Sequence, residues 1–417
     1  MSTFVFETYS YKDAVARFTY RHDELPFTEE IMFQNVPNDY DDAVLERALF
    51  LAFVVIGTSY YKCFPTQQVT FEQGALDAWQ ADFFNQTYRE GLSQFAYENQ
   101  LDPAKFAVFG ATAESIEKAV RYQGEGEVVM QSGGKDSLLL ATMLEGEGHQ
   151  FLPWYCTTSD EHPAVLDGLS QSLSVSKRVI DRLHIAEARE RGGLNGHVPV
   201  TYIMSSIALI EAILHHKSRV LSAIGHEGEE PHAFIGDIAV RHQWSKTEVA
   251  ERAMAAYITR YISPDLSISS PLRRYSELRI AELFVEYAWE KYGHSFSSCN
   301  VANYMQGQGN ATLTWCGTCP KCANSYLLFA PFLDAHELKS LFGGNDLFGD
   351  AALDAIFRGL LGIDGAMKPF ECVGEVDELR LAYQMAQDRG GYGELNFFVP
   401  HSDFDYKKEY ITRGGNE

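Results

Sequence analysis

Hydrophobic and polar positions follow two different patterns along the chain. Up to about Gln123, runs with strand character (Thr3 to Tyr9, Ala16 to Tyr20, Val69 to Glu72) alternate with two stretches of helical periodicity, Ala43 to Ile56 and Leu76 to Asn99. This predicts a smaller α+β unit over residues 1–123. From Val128 onward, short apolar runs and amphipathic stretches alternate. Val128 to Met130 precedes Lys135 to Leu144, Phe151 to Cys156 precedes Ala164 to Leu173, and Ile207 to His215 precedes Val220 to Ile224. Repeated strand–helix units predict an α/β fold with a doubly wound parallel sheet over 124–330. The glycines of Gln123-Gly124-Glu125-Gly126-Glu127 interrupt periodicity on both sides and read as the hinge. After Ala330 the pattern is helical with a glycine-rich, acidic interruption. This predicts a helical extension over 331–417 packed on the second unit, its residues from Lys407 onward frayed.

Composition narrows the setting. A chain of 417 residues, 46% of them hydrophobic, has enough apolar surface for real cores. The most apolar run, Ala48 to Gly57, is shorter than a bilayer requires and reads as a buried helix. Met1 to Glu7 shows no basic segment followed by an apolar one, so a cytoplasmic protein without a membrane partner is expected. A formal charge of −23 opposes nucleic-acid binding, which depends on contacts to phosphate, while a locally positive pocket for a small anion remains compatible. Seven cysteines, three of them crowded together, suit a reducing compartment and a metal better than a disulfide framework.

The most specific chemistry lies at Ser132-Gly133-Gly134-Lys135-Asp136-Ser137. It follows the strand candidate Glu127 to Gln131 and opens a helix. A glycine turn leading into a helix N-terminus aims backbone N–H groups and a partial positive charge at one point, as a pyrophosphate requires. Lys135 adds an ammonium, Ser132 and Ser137 add hydroxyl donors, and Asp136 is placed to assist Mg²⁺ or to cap the helix. The spacing is not that of a Walker A loop. Further along, Cys316, Cys319 and Cys322 stand two residues apart with Cys299 upstream. Four such thiolates suit a structural Zn²⁺, with reduced packed cysteines or an iron–sulfur cluster as alternatives.

The Ser-Gly-Gly-x-Asp-Ser sequence resembles the signature of the pyrophosphate-loop ATP pyrophosphatases, which implies an adenine nucleotide alpha hydrolase-like domain that cleaves ATP to AMP and pyrophosphate. Four further segments sharpen the resemblance: Gly57-Thr58-Ser59-Tyr60-Tyr61-Lys62, Gln94 to Asn99, Ile224-Gly225-His226-Glu227-Gly228, and Arg241-His242-Gln243-Trp244-Ser245-Lys246. With the loop and Trp315 to Cys319, they resemble the ATP-dependent UDP-N-acetylmuramoyl-L-alanyl-L-glutamate epimerases over most of the chain. Gly225-His226-Glu227-Gly228 departs from the Gly-Asn-Glu-Arg expected of such relatives. The resemblance implies epimerisation of the terminal L-Glu of UDP-MurNAc-L-Ala-L-Glu, with ATP and Mg²⁺ as cofactors. Under it, Ser132, Gly133, Gly134, Lys135, Asp136, Ser137 and Glu227 serve the nucleotide and metal, while Lys62, Tyr61, His242 and Lys246 serve proton transfer or substrate contacts. Each of the latter also has a plain structural reading, such as a hydrogen-bonded loop histidine or a snorkelling lysine. Cys63 and Cys156 are candidates for a thiol pair, but nothing in the sequence places them together. A deazaguanine or tRNA-modifying synthase and a non-catalytic ATP sensor remain as alternatives, and the oligomeric state is left open.

Overall fold

The computed structural model describes residues 2–305 and 311–410. Three antiparallel strands open the chain: β1 (Phe4–Lys12), β2 (Val15–His22) and β3 (Leu25–Met32). Burial alternates residue by residue along β2 and β3, as a pleated strand with one face on a core requires. β4 (Val69–Phe71) adds a parallel outer strand beside β1. Five mutually parallel strands follow: β5 (Glu127–Met130), β6 (Phe151–Thr157), β7 (Ser174–Val179), β8 (Arg219–Leu221) and, after a separate hairpin of β9 (Ala233–Ile235) and β10 (Ile238–Val240), β11 (Ser267–Ser269).

The result is one nine-stranded sheet in the order β11-β8-β5-β6-β7-β3-β2-β1-β4. The molecule is thus a mixed α/β protein around a large, mostly parallel central sheet. The strands expected to form their own unit continue that sheet, because β3 pairs antiparallel with β7 through Glu30↔Val179, Ile31↔Arg178 and Met32↔Lys177. A buried ion pair locks this seam: Arg178 donates to Glu29 from Nε (2.6 Å) and to Ser59 Oγ from Nη2 (3.1 Å), and Tyr60 donates its hydroxyl to Glu29 (2.7 Å). Neither β3 nor β7 stands out in the sequence. Pro26 and the adjacent Glu29-Glu30 mask the alternation of β3, and the acid is buried only because Arg178 meets it.

Neighbouring residues on the parallel strands serve two cores. Val128, Trp154 and Val220 face the first, with the helices Asp42–Ile56 and Val200–Leu214. Val129, Tyr155 and Leu221 face the second, with the helices Lys135–Gly146, Glu277–Tyr287 and Pro320–Phe329. The parallel strands are therefore covered on both faces, which explains their continuous apolar character. Asp41 caps the Asp42–Ile56 helix by accepting from Ala43 and Val44 N–H, and burial on all sides from Ala48 onward marks it as a core helix. Continued through Thr58–Tyr61, that stretch is long and apolar enough to cross a membrane, longer than the sequence run alone indicates, yet it lies inside the first core.

Other boundaries shift for local reasons. The stretch Leu76 to Asn99 forms two helices, Ala78–Gly91 behind an Asp77/Gln80 capping box and Ser93–Glu98, broken at Leu92. Between Pro163 and Gly168 the expected helix is reduced to a single 3₁₀ turn, Ala164–Gly168. The helices Ala335–Leu341, Asp354–Leu360 and Val376–Arg389 of the extension contribute to the second core. Of the tail expected to fray, 411–417 lie outside the described residues. Tyr410, just before them, donates its N–H to the Arg274 carbonyl (2.9 Å) and stacks on His226 (3.5 Å).

Candidate active site

The chain leaving β5 enters the Ser132–Ser137 loop, and β5 lies between β6 and β8, where the order of strands reverses. Crevices for ligands open at such points of a parallel sheet. Gly133 has φ 76°, and a Cβ there would meet Leu313 Cδ1 at 2.7 Å, so the turn requires glycine. Ser137 Oγ accepts from Ser132 N–H (3.2 Å), which ties the loop to the first turn of the helix. Gly134 occupies the N-cap position and offers no side-chain acceptor to the amides of that turn. Ser132, Gly134, Asp136 and Ser137 line a cavity of about 300 Å³.

Lys135 is buried and ion-paired with Asp136 and with Glu277, the first residue of the Glu277–Tyr287 helix. Burial disfavours its ammonium, but the charges of Asp136 and Glu277 outweigh that and hold its pKa above the ordinary lysine value. Glu277 is pushed up to about 8 by burial and by the neighbouring charges of Asp136 and Glu227, against the pull of Lys135. Glu227 behaves oppositely. Burial would raise it, yet Lys246, Arg273 and Lys135 hold it down at about 2. One of its oxygens accepts from Lys246 Nζ at 3.1 Å, and the other, Oε2, is buried without a hydrogen-bond partner. Gly225 makes this packing possible, since a Cβ there would lie 3.0 Å from Glu277 Oε1 and 3.1 Å from Glu227 Oε2. The need for a small residue at Gly225 is thus steric, whereas His226 turns toward Glu375 (2.8 Å).

Lys246 lines the same cavity, and its Nζ lies 3.2 Å from Cys372 Sγ. Gln243, held at φ 59°, donates from Nε2 to the same sulfur (3.5 Å) and accepts from Thr201 Oγ1 (2.9 Å). A non-glycine residue in the left-handed region is the kind of strain that gathers around functional sites.

The remaining expected residues lie apart from this cavity's lining. His242 shares its Nδ1 with Gln94 Oε1 (2.9 Å) and sits among His197 and His232, ring centroids 5.2 and 6.3 Å away. Burial drives all three rings toward neutrality, with pKa values of about 4 for His242 and about 3 for His197 and His232. Lys62 donates to the Gly196 carbonyl (2.9 Å), and burial pulls its pKa down to about 8. Tyr61 donates to the Thr66 carbonyl (2.9 Å) and accepts from Ala107 N–H (2.7 Å), which accounts for its hydroxyl within the core.

Cys299, Cys316, Cys319 and Cys322 converge, their sulfurs all within 4.8 Å of one another. Three separations are 3.7, 3.7 and 3.6 Å, against about 3.8 Å for the edge of a tetrahedron with ~2.3 Å zinc–sulfur bonds. Backbone N–H groups of Ala302, Gly317 and Thr318 point at three of the sulfurs (3.3–3.4 Å), as thiolate ligands favour. This donor set fits a tetrahedral metal. It also carries Ser298, Asn300 and Lys321 to the cavity wall, where Lys321 Nζ donates to the Cys372 carbonyl at 2.7 Å.

Glu277, Cys372, Asn300 and Lys321 are among the site residues that the sequence did not single out. Lys321 and Asn300 adjoin the cysteines and so had a signal, whereas Glu277 and Cys372 sit in stretches without a motif.

Similarity to known proteins spans most of the chain. Residues 1–270 match the MurL N-terminal domain and residues 295–401 the MurL C-terminal domain. Among curated proteins, the chain is 32% identical to a UDP-N-acetyl-alpha-D-muramoyl-L-alanyl-L-glutamate epimerase of a Micromonospora species, covering 93% of this chain and 88% of that one. Proteins of the same name from Salinispora tropica (31% identity; 94% and 86% covered) and Xanthomonas oryzae pv. oryzae (30%; 91% and 84%) are similar to it as well.

Proposed function

The chain belongs to the MurL family of UDP-N-acetyl-alpha-D-muramoyl-L-alanyl-L-glutamate epimerases, and from that premise we propose that it inverts the terminal L-glutamate of UDP-MurNAc-L-Ala-L-Glu in an ATP-dependent reaction. ATP is cleaved to AMP and pyrophosphate, and the glutamate carboxylate is activated as an acyl-adenylate. The observation that carries this reading is the strand–glycine–helix turn at Ser132–Ser137, with buried Lys135 beside it and the cavity in front. In this reading the loop amides, Ser132, Ser137 and Lys135 hold the phosphates. Asp136, Glu227 and Glu277 supply oxygen ligands for Mg²⁺ when the nucleotide brings it, and the four cysteines hold a structural Zn²⁺.

Activation answers a definite chemical difficulty. Removing an α-proton beside a free carboxylate places a second negative charge next to the first. An acyl-adenylate removes the first charge and lets the carbanion delocalise into a neutral carbonyl as an enolate. Reprotonation from the opposite face and hydrolysis of the adenylate give the D-product, and loss of pyrophosphate draws the balanced inversion forward. Lys62 and His242 stand outside the cavity lining and support its neighbourhood in this scheme, while Lys246 faces the reacting groups.

The test is pyrophosphate release with UDP-MurNAc-L-Ala-L-Glu, read beside chiral analysis of the glutamate. Release that depends on this substrate and yields D-glutamate is the expected outcome. Inversion without ATP rejects the adenylate, release with other acids alone points to a synthase, and no release with any acid points to a sensor.

A further inference from the structure

Among the groups that this scheme leaves unused, the half-buried Cys372 thiol stands in an unusual position. It belongs neither to the four-cysteine cluster nor to a disulfide. Its sulfur faces the cavity shared with the Ser132–Ser137 loop and has two donors in reach, Lys246 Nζ at 3.2 Å and Gln243 Nε2 at 3.5 Å. Its neighbours are thus one ammonium and one amide N–H, both donors, with the sulfur as acceptor. Lys246 remains a cation in this setting. It is paired with Glu227 at 3.1 Å.

A second observation marks the same spot as a place for a ligand. Glu227 is 8% exposed, lines the cavity and has its Oε2 atom buried without a partner. Buried polar atoms are seldom left so, and an unpaired carboxylate oxygen on a cavity-lining residue is an acceptor open to a ligand's donor or cation. Gln243, at φ 59°, places its side-chain amide between Thr201 and the sulfur.

We propose that Cys372 is the proton-transfer group that acts on the α-carbon of the substrate glutamyl residue, with Lys246 and Gln243 as the residues that position it. The inference rests on the acyl-adenylate reading. The thiolate takes the α-proton: the Cα–H bond breaks, an S–H bond forms, and the electron pair moves through the activated carbonyl to give the enolate. An acid in exchange with solvent returns a proton to the opposite face of Cα. The thiol then loses its proton to water, which restores the thiolate.

The experiment compares wild-type protein with C372S in D₂O, supplied with ATP, Mg²⁺ and UDP-MurNAc-L-Ala-L-Glu. ATP–pyrophosphate exchange reports adenylation, and deuterium at the glutamate α-carbon reports proton transfer. C372S is expected to retain substrate-dependent pyrophosphate exchange while deuterium entry and D-glutamate formation fall by about 10²- to 10⁴-fold. Deuterium entry at the wild-type rate in C372S overturns the assignment, as does parallel loss of both readouts in a variant that melts like wild type. Absence of pyrophosphate exchange in the wild type is a failure of the adenylate reading, visible separately from either result. A measurement on unmutated protein guards against misfolding of the variant. Iodoacetamide at pH 7 should label Cys372, with substrate protecting it, and abolish deuterium entry. Full labelling with deuterium entry unchanged also overturns the proposal.

Discussion

Around the Ser132–Ser137 loop, buried Lys135 lies against Asp136 and Glu277 and Glu227 is paired with half-buried Lys246, whereas nearby His197, His232 and His242 are half-buried rings held neutral by desolvation. The two clusters meet through the His242-Gln243 step and respond to protons in opposite senses. The charged cluster supplies its own internal counterions. The neutral cluster has two buried ring nitrogens, Nε2 of His197 and of His232, without partners. The difference teaches that burial leaves charge in place only where a counterion meets it, as it also does at the Arg178–Glu29 seam.

The sharpest test of that contrast is Lys135→Ala. Pyrophosphate release should fall by about 10²- to 10³-fold or more, as when a preorganised donor to a transition-state anion is lost. The fold should survive, because Glu277, already pushed up to about 8, can take a proton once its partner is gone. Undiminished release in this variant would remove the loop from the reaction and dissolve the comparison.

Next in size is the brace that holds one wall of the charged cluster. Wild-type protein is expected to carry one zinc per chain by elemental analysis, and Cys319→Ser to lose it together with a clear drop in melting temperature, since a closed thiolate shell contributes folding free energy. Purified wild-type protein without stoichiometric zinc or iron would rule the brace out.

Acid should then reveal the neutral cluster. Its histidines have folded pKa values of about 3 to 4 against 6.5, so between pH 6.5 and about 4 the unfolded chain binds protons that the folded one refuses. Stability is lost as pH falls through that window, by up to about 1.4 kcal/mol per pH unit for each histidine. Denaturant midpoints at several pH values should fall accordingly, and His232→Gln should flatten the slope. An equal slope in wild type and variant would show that His232 is not held neutral.

The smallest effect has the reverse sign. Glu277 is raised from 4.5 to about 8, so its contribution is complete below pH 4.5 and is lost as pH rises through 8. Glu277→Gln should therefore remove a loss of stability on the alkaline side, a slope of at most about 1.4 kcal/mol per pH unit. Stability of this variant that still declines across pH 4.5–8 as in wild type would assign the titration to another group.

Much of the site is legible in the amino-acid sequence, for a local reason. A glycine turn between an apolar strand and a helix is specified by about ten consecutive residues, so Ser132–Ser137 can be recognised from the chain alone. The cysteines are legible likewise, since Cys316, Cys319 and Cys322 lie on one knuckle, with Cys299 brought in by the fold. Tyr61 and Lys62 share a recognisable segment with Ser59 and Tyr60, yet the segment's interactions are with the β3–β7 seam, a backbone carbonyl and the core. A motif names residues that matter without saying whether they touch a ligand or hold a seam.

By itself the sequence determined the local geometry: which runs become strands, where helices are capped, and where backbone amides and thiols cluster. Tertiary structure alone decided that β3 joins β7, that Glu277 reaches Lys135, and that Cys372 meets Lys246. Propensity and turn chemistry act over a few residues, so they can be read in order. The approach of groups far apart in the chain depends on strand order and on which charges burial allows to pair, and those are properties of the packed whole.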